Sequence, residues 1–545
     1  MSTSKILRGT ALLSGATLIS RILGFIYFFP FQLLVGKQGV ALYSYAYTWY
    51  GILLSFSTAG IPIAVSKFVA RYNALGDYNT SKKLYKSSLK LMVLLGCIGF
   101  TILFLGAPYV SELIIRSKTP APGFVENVTF TMRALSFALI IVPAMSVTRG
   151  YFQGFQHMKP SAISQIVEQI ARVVFILVGS FLVTKVWKGT IASSVAVATF
   201  GAFIGAIASV FVLLIYWKKY NGLKPKPGER KTRSSYISLK KMYLELVRYA
   251  IPIVFVGIAI PLYTLIDQYT VADILRARGS SQEQADGVFS YITNYAQKLI
   301  MIPTSLATGF SLSIIPAITK SYINNENEDL KKQITKIFQV VLFFTVPAAI
   351  GLGCIAYDIF KVVYINTHIA AEGSGYLLSF APSAVLVAVF TVSAAILQGI
   401  DYQRKTMFAF SIGILVKLIV NIPLLYLLGG HGAVLGTTMG YAISDVILVL
   451  YIVKYTKFNY KRVGKSFLYI VLYSIIIATL IMGIKLLITF WMPNNTYIKS
   501  LIIVIVCGTL GGFTYFVLAI RGNNTSDILG YQLKNIPILR RFQKT

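Results

Sequence analysis

Long apolar runs recur along nearly the whole chain, and they constrain its fold more than any other feature. Each run has about 20 residues or more, which is the length an α-helix needs to cross the ~30 Å hydrocarbon core of a bilayer. The 56% hydrophobic content and the mean hydropathy of +0.70 exceed what a soluble domain shows. We therefore expect an all-α polytopic membrane protein with fourteen transmembrane helices, at approximately 10–35, 40–66, 89–115, 131–153, 160–187, 189–217, 244–273, 289–318, 336–360, 376–400, 407–428, 432–454, 466–490 and 497–520.

The net charge of +33 indicates membrane topology rather than nucleic-acid binding. Most of the 51 Lys and Arg residues fall in the N-terminal tail, in the connections that follow even-numbered spans, and in the C-terminal tail. This asymmetry is the positive-inside rule, so we expect a cell-membrane protein with both termini in the cytoplasm. The densest basic cluster, within 218–241, is expected to rest on anionic lipid headgroups, with a protein-docking role as the alternative.

The chain shows an internal repeat with a spacing of about 245 residues. The dipeptide Gln-Gly ends the fourth and tenth predicted spans, and a cation follows the glutamine by nineteen residues in both places. The matching pairs are Gln153-Gly154 with Gln398-Gly399, Arg172 with Lys417, Lys82-Lys83 with Lys331-Lys332, and Ser44-Tyr45 with Ser290-Tyr291. Six spans per copy give parallel repeats, which handle substrate at their interface near the membrane midplane.

The repeat predicts two six-helix lobes followed by two additional helices. The N-lobe, spans one to six, occupies 1–217, and the C-lobe, spans seven to twelve, occupies 244–454. A cytoplasmic basic linker joins them at 218–243. Spans thirteen and fourteen lie within 455–520, and a cytoplasmic tail covers 521–545.

Ionisable residues inside the predicted spans are the best candidates for a functional site, because charge inside a bilayer is costly. Arg21 and Lys298 fall in spans one and eight and are natural walls of a cleft between the lobes. Asp267 in span seven is either a site residue or the neutraliser of a neighbouring lysine. Glu168 and Arg172 are four residues apart on one helix, which predicts a structural ion pair.

An aromatic run begins the second span on the predicted external side, at Tyr43, Tyr45, Tyr47, Trp49 and Tyr50. Such a run is typical of the aromatic belt at a membrane interface, which is the interpretation we prefer. A platform on which sugars stack is the alternative.

No pattern in the sequence indicates an enzyme. The three histidines fall in loops far from one another, and the three cysteines fall within spans without metal or redox spacing. There is no Walker sequence for ATP. We therefore expect a carrier that has no cofactor and no metal.

Three stretches resemble one family closely. They are SRILGFIYFFP (Ser20 to Pro30), RGYFQGFQHMKPSAISQIVEQIARV (Arg149 to Val173) and YAQKLIMIP (Tyr295 to Pro303). They resemble the MOP exporter superfamily, which has a MATE-like fold. Within it they are most similar to the MurJ lipid II flippases of the Gram-positive branch that includes the YtgP and SpoVB proteins.

The resemblance implies that cations in a central cavity bind the diphosphate of a lipid-linked oligosaccharide. Arg21 matches the first-span arginine of the family motif, and Lys298 stands where the eighth-span motif usually has arginine. A second first-span arginine of many relatives falls on Tyr27, and their second-span arginine has no counterpart. Lysine binds phosphate but lacks the bidentate fork of arginine.

Some relatives bind sodium between spans seven, eleven and twelve. The matching positions are Asp267, Lys417, Asn421, Ala433 and Thr437. Lys417 replaces a neutral ligand, so we expect its ammonium to take the ion's place and to pair with Asp267.

The resemblance implies an ATP-independent flippase that carries lipid II to the outer leaflet by alternating access, for peptidoglycan synthesis, cell shape and division. Its partners would be the lipid-linked substrate, anionic membrane lipids and proteins of the cell-wall synthesis or division machinery. A flippase for another lipid-linked polysaccharide or teichoic-acid unit, or a sporulation paralogue, is the alternative. A membrane scaffold or a glycosyltransferase of the cell-wall machinery is the alternative from a different class.

Overall fold

The computed structural model of the 545-residue chain describes residues 3–58, 60–114, 123–220, 239–365, 367–494 and 496–521. Within these ranges the regular structure is helical and contains no β-strand. Most of the predicted linker (218–243) and nearly all of the predicted tail (521–545) lie outside the described residues. The domain limits proposed from the sequence remain a prediction.

The chain divides into two compact units, and the first comprises Met1–Ser290. A π-helical segment, Leu182–Val186, follows its seventh α-helix. Its α-helices are α1 (Thr3–Ile26), α2 (Phe28–Thr58), α3 (Ile61–Ala74), α4 (Tyr78–Ile114), α5 (Phe124–Ser136), α6 (Ala138–Gly154), α7 (Met158–Phe181), α8 (Ile191–Lys219), α9 (Leu239–Gly257), α10 (Ala259–Ala277) and α11 (Gln282–Ser290).

The second unit comprises Tyr291–Thr545 and begins with a π-helical segment, Tyr291–Ala296. Its α-helices are α12 (Gln297–Ile323), α13 (Asn327–Cys354), α14 (Ala356–Tyr364), α15 (Thr367–Gly399), α16 (Gln403–Leu428), α17 (Gly430–Thr456), α18 (Lys461–Trp491) and α19 (Tyr497–Arg521).

Ten helices of the described residues are long and apolar enough to cross a membrane, and the number is twelve if each of two bent pairs counts as one span. The bent pairs are Gly15–Ile26 with Phe28–Ser55, at 40°, and Tyr243–Gly257 with Ala259–Ala277, at 48°. The expected all-α polytopic membrane fold is confirmed. The count of fourteen remains a prediction.

Gly36 interrupts the helical geometry of α2. Its backbone angles are φ 65° and ψ −172°, a conformation that glycine adopts readily because it has no Cβ. The sequence predicts that the first span ends at residue 35 and that the second begins at residue 40. The break therefore falls where the sequence places the connection between the two spans.

The two copies of the internal repeat contain the same turn. In each copy a helix ends at glycine, Gly154 or Gly399, and the next helix begins four residues later. The residue two positions after the glycine has a left-handed backbone, with φ 61° at Gln156 and 63° at Asp401. The closing hydrogen bonds also correspond: His157 N to Phe152 O (3.0 Å) and Tyr402 N to Leu397 O (2.7 Å).

A second turn corresponds in the same way before α4 and α13. Gly76 has φ 76° and Asn325 has φ 57°. The amide of Asp77 donates to Tyr72 O, and the amide of Glu326 donates to Ser321 O, both at 2.9 Å. These two matched turns support the internal repeat, because they reproduce backbone geometry at the spacing seen in the sequence.

A buried carboxylate, Asp358 of α14, binds the two C-terminal helices of the second unit. Lys485 of α18 lies 2.9 Å from the Asp358 carboxylate of α14. The Ser500 hydroxyl of α19 donates to the other carboxylate oxygen of Asp358, at 3.0 Å. Asp358 is 3% exposed, so one buried carboxylate joins three helices.

Glycines in α6 bring it into close contact with α3. A Cβ added at Gly150 would lie 2.4 Å from the backbone oxygen of Pro62, and one added at Gly154 would lie 2.6 Å from Val69. Small residues that let helix backbones approach are the usual means of helix packing inside membranes.

We predict that Gly150→Ala destabilises the protein by about 1–3 kcal/mol, because the added methyl group would force the α3 backbone to move. Gly106→Ala is the matched control, since a Cβ added at this position of α4 would meet no atom within 4 Å. The control should be neutral or stabilising by up to about 1 kcal/mol. Thermal unfolding of the purified variants measures the difference, and equal midpoints would contradict the close α3–α6 contact.

Candidate functional site

Arg21 lies on α1, which packs closely against α7. The Ser20 hydroxyl is 3.4 Å from the backbone oxygen of Gln165. A Cβ at Gly24 would lie 3.1 Å from the Gln169 side chain. Arg21 lies between these two contacts in sequence and is itself exposed. The packing therefore fixes the helix that carries Arg21.

A charge network joins α6, α7 and α8 in the interior of the first unit. Glu168 accepts from Arg149 at 2.8 Å and from Arg172 at 2.9 Å, one guanidinium at each carboxylate oxygen. Arg149 also donates to the hydroxyls of Ser164 and Ser209, both at 2.8 Å. The predicted pair of Glu168 and Arg172 is thus part of a larger network with one excess positive charge.

The sequence reasoning missed Arg149, although a signal for it exists. The α6–α7 turn is centred between Gln156 and His157, and Arg149 and Ser164 are equally distant from that centre in sequence. An antiparallel helical hairpin brings such positions opposite each other. Pairing the residues on either side of the turn at Gly154 in this way would have placed Arg149 beside Ser164 on α7.

A cluster of four tyrosines lies in the first unit, and three of its members are close to Arg172. The hydroxyls of Tyr27 and Tyr43 are 2.8 Å apart. The rings of Tyr43 and Tyr47 stack at 4.2 Å, and those of Tyr47 and Tyr50 meet edge to face at 5.5 Å. Arg172 lies within electrostatic range of Tyr27, Tyr47 and Tyr50. The excess cation of the network therefore faces phenol groups.

The predicted aromatic belt is wrong. Tyr43, Tyr45 and Tyr50 are 4%, 2% and 2% exposed, whereas belt residues face lipid headgroups. Tyr45 stacks on Phe289 of α11 at 5.0 Å and donates to Asp286 at 2.6 Å. Burial raises the pKa of the Asp286 carboxyl. Helix α11 covers this part of the run, which an amino-acid pattern confined to α2 does not reveal.

Lys298 is the second residue of α12, immediately after the π-helical segment. Its side chain is partly exposed and its Nζ atom is buried. The turn that precedes it is held by Tyr364, whose hydroxyl donates to the backbone oxygen of Tyr295 at 2.9 Å. Arg21 and Lys298 belong to different units, so their predicted shared site remains a prediction.

Four of the five positions that match the sodium site come together on α16 and α17. Lys417, which is fully buried, donates to the Thr437 hydroxyl at 2.6 Å. Thr437 donates to the backbone oxygen of Ala433 at 3.1 Å. Asn421 lies one turn after Lys417, and a Cβ at Gly436 would lie 2.8 Å from its side-chain oxygen.

These residues do not fit a sodium ion. The Lys417 ammonium already uses the Thr437 oxygen, and a second cation beside it would be repelled. Asp267 is buried on α10 in the first unit, at 4% exposure, and its pairing with Lys417 remains a prediction. No group of three or more acidic, histidine or cysteine side chains that could hold a metal occurs in the described parts of the chain.

Two family models match the chain. The model described as "Polysaccharide biosynthesis protein" matches residues 6–322. The model described as "MatE" matches residues 252–427.

The chain is also similar to curated proteins of Bacillus subtilis (strain 168). It is 39% identical over 537 residues to the protein named "Lipid II flippase MurJ", covering 97% of this chain and 98% of that protein. It is 26% identical over 458 residues to "Stage V sporulation protein B", covering 82% of this chain and 83% of that protein.

Solved structures agree on the fold. The inward closed conformation of a lipid II flippase MurJ matches with a TM-score of 0.66 at 18% identity, covering 94% of this chain and 98% of that chain. An inward-facing MATE family transporter of the MOP superfamily matches with a TM-score of 0.60 at 15% identity, covering 84% of this chain and 98% of that chain.

We predict that Glu168→Gln destabilises the first unit by several kcal/mol, about 3 or more, because two partly buried arginines lose their shared carboxylate. Glu328→Gln is the control: it breaks an ion pair with Lys331 in which the glutamate is 79% exposed, and it should cost less than about 1 kcal/mol. Unfolding midpoints of the purified variants provide the measurement. Equal losses in the two variants would show that the network does not stabilise the unit.

Proposed function

The chain belongs to the polysaccharide biosynthesis protein family, in its branch of MurJ lipid II flippases, and from this premise we propose that it carries lipid II from the cytoplasmic to the outer leaflet for peptidoglycan synthesis. The observation that carries the proposal is the 39% identity over 97% of the chain to a curated flippase of that substrate. The chain is a multi-pass membrane protein and a transporter rather than an enzyme.

Arg21 and Lys298 are the proposed ligands of the substrate diphosphate. A diphosphate cannot enter hydrocarbon bare, because burying unpaired charge costs far more than any single contact returns. Arg21 offers a guanidinium on a helix that is fixed by its packing against α7. Lys298 offers an ammonium near the start of α12, and the turn before this helix is held by the hydrogen bond from Tyr364 to Tyr295. Two cations of this kind match the two negative phosphates.

The membrane potential supplies a driving force in this proposal, so the cycle needs no ATP. A charge that crosses the membrane gains about 2.3 kcal/mol per 100 mV. Two negative charges that move outward across a membrane with an inside-negative potential of about 100 mV therefore gain roughly 4–5 kcal/mol. The same potential favours the inward return of an empty, positively charged site, so one field promotes both halves of an alternating-access cycle.

The remaining parts of the proposal concern orientation and partners. The distribution of Lys and Arg supports cytoplasmic termini and contact of the basic linker with anionic lipids. A partner among cell-wall synthesis or division proteins is proposed from the function alone.

Another lipid-linked substrate is the second candidate function. The chain is also similar to a sporulation protein (26%) and to a "Probable low-salt glycan biosynthesis flippase Agl15" of Haloferax volcanii (22% over 35% of this chain). Both likenesses are weaker and cover less of the chain than that to the lipid II flippase. A scaffold or a glycosyltransferase has no need of Arg21 and Lys298 inside the membrane.

We predict that Arg21→Ala abolishes transport while the protein still reaches the membrane. Hydrogen bonds to charged groups contribute about 1.5–3 kcal/mol each, so substrate binding should weaken about 10- to 100-fold. Arg21→Lys should retain part of the activity, because lysine keeps the positive charge but cannot form the two parallel hydrogen bonds of a guanidinium. Growth of a depletion strain that carries each variant, together with the amount of variant in the membrane, provides the measurement.

Lys185→Ala is the control for this experiment, because Lys185 is an exposed cation on the π-helical segment of the first unit. It should support growth as wild type does. If Arg21→Ala complements equally well, the proposed role of the cations is wrong.

We also predict that transport by the purified protein is independent of sodium, because the Lys417 ammonium takes the place of the ion. Replacement of sodium by choline on both sides of a proteoliposome should leave the initial rate unchanged. A rate that depends on sodium, and that loses this dependence in Asp267→Ala, would overturn the prediction.

A further inference from the structure

Asp445 is a buried carboxylate that the transport proposal leaves unused. It lies inside α17, about 16 Å from the nearer helix end at 1.5 Å per residue, and α17 is long and apolar enough to span a membrane. Its side chain is 5% exposed. Neither carboxylate oxygen has a hydrogen-bond partner among the residues that the structure describes.

The face of α17 that carries Asp445 is otherwise an interior packing face. Tyr441, Leu448 and Ile452 follow the helical spacing of this face and are all buried. The ring of Tyr441 packs edge to face on Phe390 of α15, at 5.5 Å. Asp445 therefore lies on a helix face that packs inside the second unit and is shielded from water.

A second polar group without a partner lies nearby. The hydroxyl of Tyr460 is buried and has no hydrogen bond within the described ranges. Its ring packs on Phe338 of α13 at 5.5 Å. Burial raises the pKa of the Tyr460 phenol, and Asp445 raises it further when its carboxylate is ionised. Tyr460 precedes α18, so this effect places the start of that helix within electrostatic range of Asp445.

The charged groups of the surrounding helices do not compensate Asp445. On α16, Lys417 donates to Thr437, and Lys405 lies over the ring of Tyr451 at 5.4 Å. The segment 377–399 of α15 contains no ionisable residue. The other nearby cations of α13, α16, α17 and α18 are exposed, namely Lys336, Arg404, Lys454, Lys461, Arg462 and Lys465.

We propose that Asp445 is a proton-binding site, protonated in the conformation described here and ionised when the protein opens this face to water. An ionised carboxylate without a partner would bear its full desolvation cost at this depth, whereas the neutral acid bears much less. The step is balanced by itself: the carboxylate and one proton from water form the carboxylic acid, and opening reverses the reaction.

A proton fits this site better than a metal cation. A metal ion needs several oxygen ligands, whereas one carboxylate suffices for a proton. The nearest buried residues of α17 on the face of Asp445, Tyr441 and Leu448, offer one phenol and no second carboxylate. The site also lies two helical turns, about 12 Å, from the Lys417–Thr437 contact that excludes sodium. The second unit thus carries a proton site on the same helix as two of the positions, Ala433 and Thr437, that match the sodium site of some relatives.

The coupling of this proton to transport rests on the proposed function. A site that holds a proton when closed and releases it when open makes the conformational equilibrium depend on pH. Transport that passes through both conformations would then load and release one proton in each cycle.

The proton site itself is tested by infrared spectroscopy of the purified full-length protein without substrate. Wild type should show the carbonyl stretch of a carboxylic acid that shifts in heavy water and disappears as the pH rises. Asp445→Asn should lack this signal, and Asp329→Asn, at an exposed position of α13, should retain it. A signal that is as strong in Asp445→Asn as in wild type, or one that does not titrate at any pH at which the protein stays folded, overturns the proposal.

The coupling is tested by lipid II transport in proteoliposomes with an imposed pH difference. The wild-type rate should change by up to about tenfold per pH unit, the limit for one proton, and Asp445→Asn should lose this dependence. The same pH dependence in both proteins overturns the coupling. A wild type that does not move lipid II at all contradicts the proposed function instead, because the infrared test needs no substrate.

Discussion

The cost of placing charge in hydrocarbon determines much of this structure. An ionised group inside a span requires compensation, and three arrangements in the described residues supply it. Glu168 is shared between two arginines, Asp358 binds Lys485 together with a serine hydroxyl, and Lys417 donates to a threonine. Each arrangement also joins different helices. Charge compensation and helix packing are therefore achieved by the same contacts.

The same cost explains why so few charges suffice for function. In water a cation and a phosphate interact weakly, but with water excluded the interaction becomes many times stronger. A flippase can therefore neutralise a diphosphate with two well-placed cations and rely on the membrane potential for direction. The carboxylate that Arg172 shares with Arg149 reduces the positive charge of this network without cancelling it.

Much of the fold follows from local sequence patterns. Apolar length predicts the spans, and the Gln-Gly dipeptides mark turns whose hydrogen bonds are reproduced in both copies of the repeat. The spacing of Glu168 and Arg172 places them on one helix face, where they indeed bind each other. These features depend on residues close in sequence, or on a comparison of the chain with itself.

The features that the sequence did not reveal depend on which helices become neighbours. The aromatic run of α2 has the composition of an interface belt, and only the presence of α11 shows that Tyr45 is covered. Asp358 looks like a charge at a span end until α18 and α19 bring Lys485 and Ser500 to it. The pairing of Asp267 with Lys417 is of the same kind and remains a prediction, since the two residues belong to different units.

The central claim is that this protein moves lipid II across the membrane, and the most direct measurement is the distribution of lipid II between the leaflets after depletion of the protein from its own cells. The proposed function predicts that lipid II accumulates in the cytoplasmic leaflet as the protein disappears, and that restored expression returns it to the outer leaflet. An unchanged distribution, in cells without another protein that performs the same step, would contradict the claim.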